Sequence, residues 1–261
     1  VAFRAGISER LYAAAYKWIG SLPGGVAATT VLASIGFSTV SGSNSATTAT
    51  MGAVALPEMK RYKYNPALSG GSVAIGGTLG VLIPPSTALI IIAIQTEQSI
   101  AQLFVAAIVP GLIVGLCLLL TVLLVCWRRP ELGPPGPKVS WGERLRSLGG
   151  VVETLILFVG VIGGLYLGWF TPTEAGAAGA FGALVIGAAR GSLTRRILWT
   201  AVTETLRISA MVVLLVTGAV VFGRFLTLTR LPFDLANWAS GLQVAPIVVL
   251  LVVLLIYLVG G

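Results

Sequence analysis

Residues 36–52 read GFSTVSGSNSATTATMG, and residues 76–86 follow as GGTLGVLIPPS. The first stretch lies in an apolar region yet carries Ser38, Thr39, Ser41, Ser43, Asn44, Ser45, Thr47, Thr48 and Thr50, and no charge. The second interrupts an apolar run, 67–95, that is otherwise long enough to span a bilayer. Pro85 donates no backbone hydrogen bond, and Pro84 is held extended by the proline after it. Gly76, Gly77 and Gly80 loosen the turn before it. Together these residues predict two half-helices joined by an unwound segment, beside a hydroxyl-rich turn.

The flanks of that turn point the same way. Residues 24–40 and 46–57 are apolar or small-residue runs, both short for a full span of about 20 residues. Lys17 precedes the pair, and Lys60, Arg61 and Lys63 follow it. Basic flanks mark the cytoplasmic side. Two short runs with matching flanks are expected to form a re-entrant hairpin over 24–57, with SGSNS at its tip. Non-helical backbone at that depth is tolerated only when buried in protein or lining a cavity.

Composition agrees. The chain of 261 residues is 56% hydrophobic and 10% charged, against about 25% charged for a soluble domain. Mean hydropathy is +0.95. This is the composition of an integral membrane protein of the all-α class. The net charge of +8 belongs to loop lysines and arginines, so a nucleic-acid partner is not expected. There is no histidine, hence no histidine general base, and neither HExxH nor GxSxG occurs. No enzymatic role is expected. Cys117 and Cys126 share one apolar run, which gives disulfide or transition-metal chemistry little to work with.

Further apolar runs cover 101–127, 149–170, 173–189 and 206–222. The basic linker RRPELGPPGPK after the first, and ARGSLTRR after the third, place those ends in the cytoplasm. Arg224 and Arg230 depart from that pattern. Residues 3–18, 140–148 and 193–206 are amphipathic. They suit helices lying in the membrane plane, and equally ordinary connecting helices. Gly160, Gly164 and Gly168 are four apart and favour close helix contact. Thr171, Pro172 and Glu174 suit a helix start; an intramembrane acid that couples to an ion is the other reading. The chain begins at Val1 without Met or a signal pattern and ends at Gly261 just after the apolar run 245–259, so further membrane segments are expected at both ends.

The hydroxyls admit two readings as well. Serine and threonine in apolar helices bond their own backbone or glue neighbouring helices. Alternatively, unwound carbonyls and half-helix ends coordinate a coupling ion. No titratable group lies at 26–56 or 67–96, so such a site favours sodium over protons. Ser43 and Asn44 are the tip residues expected to face ion or substrate, and Ser45 lies beside them.

The ordered motifs GFSTVSGSNSATTATMGAVALPEMKRYKYNPALSGGSVAIGGTLGVLIPPS, TEQSIAQLFVAAIVPGL and GWFTPTEAGAAGAFGAL resemble the large membrane subunit of tripartite ATP-independent periplasmic (TRAP) transporters. The resemblance implies a sodium-driven secondary transporter in the bacterial inner membrane. Its substrates would be organic acids such as C4-dicarboxylates or sialic acid. Its partners would be a periplasmic substrate-binding protein and a small membrane subunit, and it would need no cofactor beyond sodium. It implies an elevator-type fold with inverted repeats, each carrying a hairpin and a broken helix. On this chain the parts would be an arm helix at 1–23, the first hairpin and broken helix at 24–95, and a spanning helix with its linker at 96–149. Second-repeat scaffold and arm helices would follow at 150–230, and a second hairpin would begin at 231–261. By the same resemblance one sodium site would use Ser38 and Ser41 with Gly80, Ile83 and Pro84, chiefly through backbone carbonyls of the break. Gly260 would sit at the second hairpin tip. A divalent-anion or tricarboxylate carrier working without TRAP partners is the alternative within transport; a channel suits a closed hairpin tip less well.

Overall fold

A computed structural model describes residues 7–137, 139–191, 193–241 and 246–260. Among these the secondary structure is helical throughout. The chain divides into two units, Val1–Leu198 and Trp199–Gly261.

The first unit opens with α1, Ile7–Ile19, which buries Leu11, Tyr12 and Ala14. The first four residues of the amphipathic stretch expected at 3–18 lie outside the described residues. Helix α2, Gly25–Ser41, is buried along most of its length. It stops at Gly42, whose φ of 60° is the left-handed conformation that ends helices at glycine, and whose amide donates to the Ser38 carbonyl at 3.1 Å. Ser43 then caps α3, Asn44–Arg61, accepting from the Ala46 amide at 3.4 Å. Two residues thus reverse the chain, and α2 and α3 form the expected hairpin.

Its second arm is longer than the run 46–57 suggested, because α3 continues through Pro57. A proline removes one amide donor but has helical φ, and the strong helix formers Glu58, Met59, Lys60 and Arg61 carry the helix on. The two arms, of 17 and 18 residues, are about 25 and 27 Å long.

Helix α4, Pro66–Leu82, starts with Asn65 accepting from the Ala67 amide at 2.9 Å and proline in its first turn. It ends at Ile83, and α5, Thr87–Gln95, begins after Ser86. The helix break is therefore confined to residues 83–86. Gly76, Gly77 and Gly80 are helical, which corrects the expectation that they unwind the chain. Their role is close approach. A Cβ on Gly76 would stand 2.6 Å from Ser34 Oγ, and one on Gly77 would overlap the Thr48 side chain. Helix α6, Ile100–Arg128, follows. Gly111 and Gly115, one turn apart, lie against Ile83 and Ile35, so α6 packs tightly on α2 and α4.

The linker after α6 folds back onto the open end of the hairpin. Gly24 N donates to Gly133 O at 2.7 Å, Asn65 N to Leu132 O at 2.9 Å, and Gly136 N to Gly20 O at 2.9 Å. Tyr64 Oη donates to Pro134 O at 2.9 Å and accepts from Val26 N at 3.1 Å. Burial pushes the Tyr64 phenol up to about 12, so it stays protonated for that bond.

Helix α7, Trp141–Ser147, is a short piece capped by Ser140 and Glu143. Helices α8, Gly149–Tyr166, and α9, Pro172–Ala189, pair through Gly179 against Val161 and Gly182 against Leu157. These α9 glycines make the close contact expected of Gly160, Gly164 and Gly168. Gly160 meets nothing within 4 Å, and Gly168 lies past the helix end at φ 75°; only Gly164 is covered, by Phe170. Phe104, Ile162, Leu165 and Ala175 form a small core between α6, α8 and α9.

Helix α10 runs over Arg195–Leu228 as one 34-residue helix, about 51 Å long, of which residues 199–228 belong to the second unit. The sequence suggested two pieces meeting at Leu206. No proline or capping sequence interrupts TAVTETLRISA, so nothing stops the helix there. Helices α11, Leu231–Gly241, and α12, Pro246–Gly260, complete the unit. Among the described residues, four segments are long and apolar enough to cross a membrane: Pro66–Gln95, Ile100–Arg128, Trp141–Tyr166 and Arg195–Leu228.

Candidate functional site

The hairpin tip sits on the helix break. The Gly42 carbonyl accepts twice from Thr87, from its amide at 3.2 Å and its hydroxyl at 3.0 Å. A Cβ on Gly42 would fall 2.5 Å from the Pro85 carbonyl oxygen. One on Gly80 would fall 2.6 Å from the Ser43 carbonyl oxygen and 2.8 Å from Thr47 Oγ1. Glycine at both positions is what lets two backbones meet here.

The chemistry of this contact is oxygen without charge. Residues 84 and 85 are prolines, so the carbonyls of Gly80 and Val81 receive no amide from the following turn. Ser41 Oγ and Thr47 Oγ1 share a hydrogen bond of 2.7 Å across the tip. Asn44 Oδ1 is buried with no hydrogen-bond partner among the described residues. No acidic or basic residue occurs in α2, α4 or α5. Uncharged carbonyl, hydroxyl and amide oxygens are ligands suited to a hard monovalent cation.

The predicted residues divide. Ser41, Ser43, Asn44 and Gly80 lie at the contact or within its turn, and Pro84 is fully buried in the break. Ile83 buries its side chain, and its amide closes α4 by donating to Leu79 O at 2.9 Å. Ser38 is buried, and its hydroxyl donates to the Ser34 carbonyl at 2.6 Å, leaving lone pairs as its remaining capacity. Ser45 is exposed on α3 rather than turned into the contact. Gly260 closes α12 in the other unit.

Many remaining hydroxyls follow the plainer reading. Thr29, Thr30, Ser34 and Thr39 each donate to a carbonyl three or four residues back in α2. Thr171 and Glu174 form a capping box: Glu174 N donates to Thr171 Oγ1 at 3.3 Å, and Thr171 N donates to Glu174 Oε2 at 2.8 Å. The Glu174 carboxylate is engaged in holding the start of α9.

Two participants escaped the sequence reading. Thr47 was one of many hydroxyls in the quoted stretch, and only the pairing with Ser41 and Gly80 distinguishes it. Thr87 stands 45 residues from its partner Gly42, a distance over which no local pattern operates.

A model of the DctM component of tripartite ATP-independent periplasmic transporters matches residues 1–261. The chain is 36% identical over 257 residues to the C4-dicarboxylate TRAP transporter large permease protein DctM of Pseudomonas aeruginosa, covering 98% of this chain and 60% of that protein. It is 33% identical over 258 residues to the sialic acid TRAP transporter large permease protein SiaM of Vibrio cholerae, with the same two coverages. Against the isethionate TRAP transporter permease protein DctMQ of Oleidesulfovibrio alaskensis it is 34% identical over 259 residues, covering 98% of this chain and 40% of that protein. The chain thus spans at most 60% of the length of these three relatives.

Proposed function

The chain belongs to the DctM-component family of tripartite ATP-independent periplasmic transporters, and on that premise we propose that it is the core of a sodium-coupled importer of organic acids. The family is one of transporter permeases, not enzymes. The protein resides in the bacterial inner membrane. Its substrate is a carboxylate of the dicarboxylate or sialic acid kind, handed over by a periplasmic binding protein, and a small membrane subunit completes the assembly. The hairpin re-enters the membrane, and its tip moves with the broken helix as an elevator.

One observation carries the sodium reading: the hairpin tip meets a helix break whose carbonyls at Gly80 and Val81 have no following amide. Ser38, Ser41, Gly80, Ile83 and Pro84 are the proposed ligand residues, with Ser43 and Asn44 at the tip beside them. The test is reconstitution of the full-length subunit with its binding protein and small subunit, assayed with a panel of organic acids with and without a sodium gradient. Uptake is expected only with sodium and binding protein together. Sodium-independent uptake would refute the coupling, and uptake without the binding protein would favour a carrier that works alone.

Ser41→Ala probes the shell directly. Losing a hydroxyl that faces a cation is worth about 1.5–3 kcal/mol, and about 1.4 kcal/mol is tenfold in affinity. The half-saturating sodium concentration is expected to rise at least about tenfold. Thr50→Ala, further along α3, is expected to change it far less. Equal behaviour of the two variants would make the Ser41–Thr47 pair a packing contact.

A further inference from the structure

Glu153 is the lone charged residue in the apolar run 149–170. Its side chain is 14% exposed, and its two oxygens serve two different helices. Arg10 of α1 donates to Oε2 at 2.7 Å, and Arg190, at the end of α9, donates to Oε1. Gly150, three residues earlier on α8, lies under Arg10, where a Cβ would stand 3.1 Å from Arg10 Cβ. Arg190 also caps the carbonyl end of α9, where a cation is favoured. The carboxylate thus stands between two guanidinium groups carried by different helices. Helix α1 in turn packs along α2, with Leu11 against Gly36, five residues before α2 ends at the hairpin tip.

We propose that Glu153 is a positioning residue for transport: it clamps α1 to the α8–α9 pair and thereby sets where the hairpin arm α2 sits. This rests on the transport reading above. The clamp shares no residue with the oxygen-lined contact at the tip, so Glu153 governs the rate of movement and not ion affinity.

The experiment uses E153Q, which keeps size and acceptor oxygen but removes the charge, in the full-length subunit reconstituted with its partners. Maximal uptake is expected to fall about tenfold, the loss of one charge-assisted hydrogen bond. Half-saturating sodium is expected to stay within about twofold, and E153D to restore part of the rate. Spin labels on Ala13 and Ala189, both exposed, are expected to give a narrow distance distribution in the parent and a broad one in E153Q. The proposal is overturned if E153Q keeps the parent's label distances and uptake, or if it raises half-saturating sodium and leaves the maximal rate alone. Should the parent itself show no sodium-driven uptake, the transport reading fails, and the label distances alone decide whether Glu153 clamps α1.

Discussion

Gly42→Ala is expected to lower sodium-driven uptake at least about a hundredfold, with the protein still inserted. Two costs coincide at this residue. Its φ of 60° is left-handed, which costs a residue with a Cβ about 1–2 kcal/mol. The new methyl would also stand 2.5 Å from the Pro85 carbonyl oxygen, an atom of the backbone that no rotamer change moves aside. Relief requires the tip to lift from the break. That breaks both bonds from Thr87 to the Gly42 carbonyl, at about 0.5–1.5 kcal/mol each. The sum is about 3 kcal/mol, or roughly a hundredfold. Gly70→Ala is the matched control, because a Cβ there meets nothing within 4 Å in the helical backbone of α4. It is expected to leave uptake unchanged and to raise thermal stability slightly. Uptake and sodium-dependent thermal shifts on the two variants decide the matter. A Gly42→Ala protein that transports like the parent would show that the tip need not touch the break.

The second large effect is expected from Pro84→Ala combined with Pro85→Ala. Alanine at both positions supplies amides that can donate to the Gly80 and Val81 carbonyls, four residues back. Each new bond is worth about 0.5–1.5 kcal/mol, and the interior penalty of proline, about 3 kcal/mol, disappears. Helices α4 and α5 are then expected to join. The carbonyls are consumed within the helix, and Thr87 moves away from Gly42. Helical content should be maintained or increased, while stabilisation by sodium and sodium dependence of uptake disappear. Unchanged sodium stabilisation in this double variant would remove the break from the ion site.

How far the sequence reached is clearest at individual residues. The hairpin reversal at Gly42 and Ser43 was legible because it uses local chemistry: a glycine that adopts left-handed φ and a serine that caps the next helix. The break was legible because two adjacent prolines withhold amides wherever they occur. Its extent was not. Gly76, Gly77 and Gly80 look like loosening residues in sequence, yet each is held helical with a neighbour pressed against it. Pro57 looked like the end of an arm, yet α3 runs through it. No local pattern pairs Glu153 with its partners Arg10 and Arg190, which lie 143 and 37 residues away.

The sequence by itself determined that this is an all-helical membrane protein with a hydroxyl-rich hairpin beside a broken helix. Hydropathy, capping and missing amide donors act within a few residues along the chain, so they are written in order. Only the tertiary structure decided that Gly42 seats on Pro85 and Thr87, that Thr47 rather than Ser45 faces the contact, and that residues 132–136 strap the hairpin base. Those outcomes depend on which backbones approach closely enough to touch. That is set by the absence of side chains at a few glycines far apart in the chain, and no local pattern records which partner each glycine meets.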